Sequence, residues 1–540
     1  MSLSKPRDIG GRSSSSPTKN AFQGAMSILL FGTQMEWLRR VQTTLPEPYL
    51  DEFFHMPQAD TFWQGNWTKW NDKITTPPGL YIWSVFVSKI FSLGSHSEML
   101  TPYQLRITSM ITLYFLTLSC SFWMRFGCKF SRSGVRLPQL LAIHTFPPLF
   151  FFSGLYYTDV LSAFTVICTY ALWQAGLQRK GRAKYVVQLL HFMCGLLALG
   201  ARQTNIFWVA VFTGGLQAVH TVKNQTRVHD PPVADAYFED FPITIISLVT
   251  SAFNALPEML LDLWPHFGLL ASFTAFVVWN GGVVLGDKTN HVASIHLPQM
   301  LYLWPFLMFF SWPAVLPQLA NPLLLQRTPR LWLIGLVVTS MLAVVHLNTI
   351  VHPFLLADNR HYTFYVFKIL RLAPWKWYAA VPVYAACAWL SVQALGSKSG
   401  FSGGPGVKGS RGRRPSTSSG RGDSIRVEAD TNRISFFMVW LLSTALSLIT
   451  APLVEPRYFI VPWLMWRLHL PDSEDVLSQD ATAASGASNR VRRLLKSFAK
   501  QSVWIEIAWY MLINLITCRL FLYHGFEWQQ EPDQVQRFMW

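Results

Sequence analysis

Asp51 and Glu52 stand side by side in the polar stretch PEPYLDEFFHMPQADTFWQGNWTKWNDKITTPPGLY, followed by His55 and Gln58. Five more segments carry residues of the same kind: YYTD at 156–159, RQTN at 202–205, GDKTNHVASIHLPQ at 286–299, HPFLLADNRHYTFY at 352–365 and EPRY at 455–458. They bring carboxylates (Asp159, Asp287, Asp358), cations (Arg202, Lys288, Arg360, Arg457) and several histidines. A carboxylate within hydrogen-bond reach takes a proton from a sugar hydroxyl. Fixed cations hold a phosphate as its charge grows on departure. Trp63, Trp67 and Trp70 offer rings that pack on the apolar faces of sugars. Together these groups suit glycosyl transfer from a lipid phosphate.

Each polar segment ends an apolar run. Hydrophobic residues make up 51% of the 540, and charged residues only 14%, where a soluble domain carries roughly a quarter. That balance excludes a disordered chain, a disulfide scaffold and a typical soluble enzyme. Clear uncharged runs cover 108–124, 137–153, 160–177, 265–285, 298–320, 331–351, 377–395 and 434–453. Runs 185–201 and 203–221 flank Arg202, and 22–38, 456–470 and 503–523 are weaker because charges lie in or beside them. The sum predicts an all-α polytopic membrane protein with about 13 (12–14) transmembrane helices.

Charge orients these spans. With residues 1–21 in the cytosol and strict alternation, segments 1–21, 128–136, 178–184, 222–264, 321–330, 396–433 and 471–502 hold 28 Lys and Arg, and the opposite side holds nine. Basic residues collect on the cytosolic side of membrane proteins, so the +16 net charge needs no nucleic-acid partner. The alternation requires PPGLYIWSVFVSKIF (77–91) to lie flat on the outer surface. Residues 1–21 then form a basic cytosolic tail that is not a signal peptide. A membrane domain follows over 22–470, with an outer first loop at 42–103 and a disordered Gly/Ser/Arg-rich cytosolic loop at 396–433. A second cytosolic loop spans 471–502, and 503–540 forms the last span and tail.

Each signal has a plainer explanation. An Asp-Glu pair also serves as a solvated pair or helix cap, and loop tryptophans as interface anchors. Arg457 and Lys288 also suit lipid headgroups. His144 and His346 fall inside spans as packing residues. His55, His291, His296, His352 and His361 follow no familiar zinc spacing, and the six cysteines form no CxxC. A transporter would carry ionisable residues at mid-span, where the clear runs have almost none. A scaffold leaves several polar clusters on one face unexplained. Of two N-x-T sequons, Asn66-Trp67-Thr68 falls in the outer loop and Asn224-Gln225-Thr226 on the cytosolic side.

The strings LDEFFHMPQA, KITTPPGLY, YYTD, RQTNIFW, NGGVVLGDKTNHVASIHLPQ, HPFLLADNRHYTFY and PLVEPRYFIVPW, in this order, and the final RFMW carry a specific resemblance. The chain resembles the dolichyl-phosphate-glucose-dependent α-1,2-glucosyltransferases of the endoplasmic reticulum, of the GT-C class. The resemblance implies transfer of the last glucose onto the diglucosylated, dolichyl-pyrophosphate-linked oligosaccharide in the lumen, with inversion, and with neither a cofactor nor a metal. It places the general base at Asp51 or Glu52, with Glu52 otherwise orienting the site. Lys288, Arg360 and Arg457 are the candidates for the donor phosphate, assisted by His291 and His361. His55, Gln58, Asp159, Arg202, Gln203, Asp287 and Asp358 are assigned to the acceptor or sugar pocket. Membrane lipid is the remaining partner, and the oligomeric state is left open. One departure is SILLFGTQMEWLRRVQ, where Glu36, Arg39 and Arg40 interrupt the first span.

Overall fold

The computed structural model describes residues 17–93, 99–127, 137–286, 294–319, 328–351, 358–396, 432–451, 453–471, 489–528 and 531–540. Asp287, Lys288, His291 and His352 therefore lie outside the described residues, as does nearly all of 396–433. Among the described residues, seven helices are long and apolar enough to cross a bilayer: Pro102–Met124, Thr158–Leu177, Arg182–Ala201, Gln299–Pro317, Leu331–Asn348, Trp375–Leu395 and Ser497–Tyr523.

The other six expected runs fold as shorter, broken or charged helices. Run 137–153 divides into Leu137–His144 and Pro147–Phe152, because proline lacks the N–H that would continue the first helix. Run 203–221 is a 3-10 turn, Gln203–Asn205, a π-helical stretch, Phe207–Phe212, and the helix Thr213–Gln225. Runs 265–285 and 434–453 give Trp264–Asn280 and Ile434–Leu448, and 456–470 gives the turn Pro456–Phe459 and helix Ile460–Leu468. The first run lies within the 28-residue helix Pro17–Thr44. Its charges are matched locally, since Glu36 pairs with Arg39 at 2.7 Å and Arg40 at 2.6 Å, one turn on.

Two features lie outside the expected apolar runs. Segment 222–264, read as a plain cytosolic loop, contains helices Asp240–Asn254 and Leu256–Asp262, apolar enough to pass as one span but bent by 90°. The run ITIISLVTSAF drives the first of them, and Ile243, Ile246, Val249 and Phe253 remain exposed on it. The described chain is also not wholly helical: Phe526–Trp528 and Glu531–Gln536 pair as an antiparallel hairpin.

At one end of the bundle the first loop builds a small core of its own. Its helices Glu52–Trp63 and Gly79–Ile90 have 12 residues each. Each is about 18 Å long at roughly 1.5 Å per residue, short of a hydrocarbon core about 30 Å thick. Met56, Phe62, Leu80, Tyr81 and Val85 pack there against Leu105 and Tyr156 of the bundle. In Gly79–Ile90, expected to lie flat, one stripe is buried (Leu80, Tyr81, Ser84, Val85), while Ile82, Phe86 and Ile90 face outward. Gly79 packs directly on the backbone of Gly200 and Ala201, where a side chain would collide. Gly286, at φ +63°, seats its backbone beside the carbonyls of Asp72 and Ile74, and Leu285 N–H donates to Thr75 O at 3.2 Å.

The opposite end is tied separately. Asn432 Nδ2 donates to Leu395 O and His469 O, both at 2.8 Å, and Lys184 pairs with Asp262. Between the ends, Phe146 stacks on Trp463 at 3.5 Å. A buried pair, Arg467 with Glu506 at 2.6 Å, is capped by the Tyr510 hydroxyl at 2.9 Å.

Candidate active site

Asp51 occupies the position before the first turn of helix Glu52–Trp63, yet its side chain makes no capping hydrogen bond. The carboxylate turns instead to Arg457, accepting from Nη1 at 3.0 Å, and it is 45% exposed. Leu50, at φ 50°, stands just ahead of it. This left-handed backbone is uncommon for a residue other than glycine. Glu52 points inward. It is fully buried and accepts four hydrogen bonds, from Arg106 Nε at 3.0 Å, Arg106 Nη2 at 2.5 Å, Tyr49 N–H at 3.0 Å and Tyr156 N–H at 2.7 Å. A carboxylate so saturated is a brace. Asp51 is the one open to a substrate.

Arg457 is the hub. It leaves the turn Pro456–Phe459 and contacts Glu455 through Nε, Asp51 through Nη1, and Asp159 Oδ2 at 3.9 Å. The rings of Tyr157 and Tyr458 lie 5.9 and 6.0 Å from its guanidinium carbon, close enough for cation–π attraction. Asp159 begins helix Thr158–Leu177, is nearly fully buried, and accepts from Arg202 Nη1 at 2.8 Å. Arg202 also lies over Tyr458, at 5.5 Å. Four chain segments thus converge on one cluster of three carboxylates and two guanidinium groups.

Electrostatics follow from that arrangement. Enclosure in the cleft raises the Asp51 carboxyl, but Arg457, with His55 and His361, outweighs it and holds Asp51 below its ordinary value. Glu455 is lowered in the same way, burial opposing and Arg457 prevailing. Burial lowers His55 against the pull of Asp51. Its Nδ1 lies 2.6 Å from the Tyr81 hydroxyl.

The remaining expected residues divide between the cluster and its supports. Gln203 Nε2 donates to Thr75 O at 2.7 Å, tying the end of a span to the first loop. Gln58 spends both ends of its amide on that loop, donating to Lys69 O at 2.8 Å and accepting from Asn71 N–H at 2.9 Å. Arg360 is matched by Asp358 through two nitrogens, at 2.8 and 2.7 Å, and reaches Gln536 at 3.0 Å. His361 Nδ1 lies 3.1 Å from Trp540 O, and Met539 N–H donates to Arg360 O at 2.9 Å. Asp358, Arg360 and His361 therefore anchor the final residues beside the cluster. Trp63 and Trp70 pack in the loop core, whereas Trp67 is half-exposed.

Arg106 and Glu455 are additions to the expected set. Arg106 sits one turn inside a span, ahead of the uncharged run from 108, and Glu455 stood in the EPRY string without an assigned role. Among the described residues no group of three or more His, Cys, Asp or Glu is placed to hold a metal ion. A cavity of about 200 Å³, lined by Lys184, His191, Gln217, Asp262 and His266, contains none of the cluster residues.

These features define a polytopic membrane protein with an ionised, half-open cleft at one end of its helices. The chain belongs to the DIE2/ALG10 family, which matches residues 45–468. It is 40% identical to an Emericella nidulans protein named Dol-P-Glc:Glc(2)Man(9)GlcNAc(2)-PP-Dol alpha-1,2-glucosyltransferase, over 93% of this chain and 96% of that one. Proteins of the same name from Aspergillus fumigatus and Homo sapiens are 38% and 31% identical, over 93% and 95% of this chain and 96% of each of theirs. No solved structure matches the chain.

Proposed function

We propose that this protein transfers glucose from dolichyl phosphate β-glucose, in α-1,2 linkage, onto the diglucosylated oligosaccharide carried by dolichyl pyrophosphate. The relatives' shared name supports the substrates. The observation that carries the mechanism is the uncapped, exposed Asp51 carboxylate held 3.0 Å from Arg457. The protein is a membrane glucosyltransferase of GT-C type, resident in the endoplasmic reticulum, with Asp51 facing the lumen. The six shorter runs cross alongside the seven long helices, giving about thirteen crossings.

In the reaction, Asp51 accepts the proton of the 2-hydroxyl on the terminal acceptor glucose. That oxygen bonds to C1 of the donor glucose from the face opposite the phosphate, the C1–O bond to phosphate breaks, and β becomes α. Dolichyl phosphate leaves with the bonding pair. Arg457, with Lys288 and His291, receives its charge. Arg457 thereby serves two anions in turn. As the donor phosphate draws the guanidinium away, Asp51 loses the partner that lowers it, and the base gains strength when the donor is in place. Asp159, Arg202 and Glu455 fix Arg457 and line the sugar site, and no metal takes part.

The test is purified protein with dolichyl phosphate glucose and the diglucosylated acceptor, with and without EDTA. A triglucosylated product in both arms is expected. Absence of that product overturns the assignment, and loss on chelation overturns the metal-free mechanism.

A further inference from the structure

We infer that Asn66 is an N-glycosylation site and that Asn224, in the chain's second sequon, stays unmodified at the other end of the bundle. The inference rests on the luminal placement of Asp51 in the proposed function. An N-x-T triplet is an acceptor where it is displayed to the lumen. All three residues of Asn66-Trp67-Thr68 are exposed, in the turn that follows helix Glu52–Trp63.

The turn is held in place. Gly65, at φ +84°, reverses the chain, a conformation glycine adopts without side-chain strain. Asn66 N–H donates to Thr61 O at 3.0 Å. Trp67 packs on Phe62 at 5.1 Å. Both ends of the Gln58 amide grip the backbone just beyond, at Lys69 and Asn71. The sequon is thus presented on an ordered rim, with all three residues exposed.

Geometry settles which side each sequon shares with the cleft. Only a 12-residue helix and one turn separate Asp51 from Asn66, about 18 Å. That is too short for the chain to have crossed the bilayer, so Asn66 lies on the side of Asp51. A glycan there stands a helix length from the reacting atoms and leaves the cleft open. Asn224 is different. Gln203 is bonded to the first loop at Thr75, and from it the chain runs through continuous helical turns to Gln225. That path is about 30 Å, the thickness of the hydrocarbon core. Asn224 is exposed, but at the far end.

In the modification, Asn66 Nδ2 bonds to C1 of the reducing-end N-acetylglucosamine of a dolichyl-pyrophosphate oligosaccharide. The C1–O bond to pyrophosphate breaks, dolichyl pyrophosphate departs, and the amide loses one proton. The co-reactant belongs to the class of lipid that this protein is proposed to complete, so the chain is also an acceptor for that pool.

The experiment uses the full chain in its own membranes, treated with peptide N-glycosidase and compared by gel mobility. Wild type and Asn224→Gln should each shift by one glycan, whereas Asn66→Gln and Thr68→Ala should not shift, and all four should retain normal glucosyl transfer. No shift in wild type, or a shift abolished by Asn224→Gln, overturns the inference. Asn66→Cys in sealed microsomes, treated with a membrane-impermeant maleimide against a wild-type background, separates the two readings. Labelling only after permeabilisation, without a glycan in wild type, sinks the inference and leaves the luminal cleft standing. Labelling of sealed vesicles sinks both.

Discussion

Asp51→Asn keeps the shape and removes the proton acceptor, so transfer should fall about 100- to 10,000-fold while the protein folds and binds donor normally. Donor binding and turnover measured on the same preparation check this, and near-normal turnover would remove Asp51 from the mechanism. Glu52→Gln should fail differently. Its carboxylate is buried against Arg106, and breaking a buried pair costs about 3–5 kcal/mol. Its thermal midpoint should drop sharply, and Arg106→Met in the same chain should recover part of the loss; an unchanged midpoint would deny the brace. The pH profile tests Arg457. An ionised base loses function as pH falls through its own value, and Asp51 is lowered. The acid limb of kcat/KM should therefore lie below the ordinary carboxylate value of about 3.9. In Arg457→Gln, burial remains as the largest influence and the limb should move to higher pH. A limb that stays put would separate Arg457 from the base. The sequence displayed Asp51, Asp159, Arg202 and Arg457 because polar residues at the ends of apolar helices are few and stand out. It did not display that Glu52 is buried and Asp51 open, because adjacency says nothing about which side chain turns inward. The bonds by which Gln58 holds the loop backbone at Lys69 and Asn71 are visible only after folding.

Among the elements, the short helices of the first loop do the positioning. Gly79 lets helix Gly79–Ile90 touch the backbone at Gly200, and the neighbouring Gln203–Thr75 bond fixes the loop to the span end. Gly79→Ala would force these backbones apart, and overpacking of this kind costs about 1–3 kcal/mol. Thermal inactivation in detergent should come several degrees earlier, with slower transfer, and a variant as stable as wild type would show that the contact is loose. Helices of this sort are hard to place from composition: Gly79–Ile90 is apolar, and charge alternation in the sequence and its 12-residue length in the structure set it apart from a span. The bent pair at 240–262 was hidden differently: strict alternation made 222–264 one cytosolic segment, although its Ile/Val run is a helix. The break at Pro147 was legible as a proline, but not as the interruption of a helix.

For the whole molecule, the apolar blocks and the 28-to-9 split of basic residues sort the chain ends into two groups. The contacts respect that grouping: residues of 42–103, 156–159, 202–205, 358–361 and 455–458 meet at one end, and residues near 184, 262, 395, 432 and 469 at the other. The latter meeting yields a prediction for the long low-complexity segment. Leu395 O and Asn432 Nδ2 are 2.8 Å apart, so the two ends of that segment are already together. Replacing 400–430 by a short flexible linker should leave transfer unchanged, and complete loss in a stably expressed deletion would assign the segment a role. The cleft has a different economy. Asp51 and Arg457 touch across 406 residues of sequence, and Tyr49 is bonded to Arg537 across 488. At a synthesis rate of roughly 5–20 residues per second, Asp51 leaves the ribosome about 20–80 s before its guanidinium partner exists. During that interval Asp51 has no Arg457 beside it, and Tyr49 no Arg537. The Asp51–Arg457 contact is thus among the last the growing polypeptide acquires, and a ribosome that stops short of residue 457 leaves a membrane-inserted chain without it.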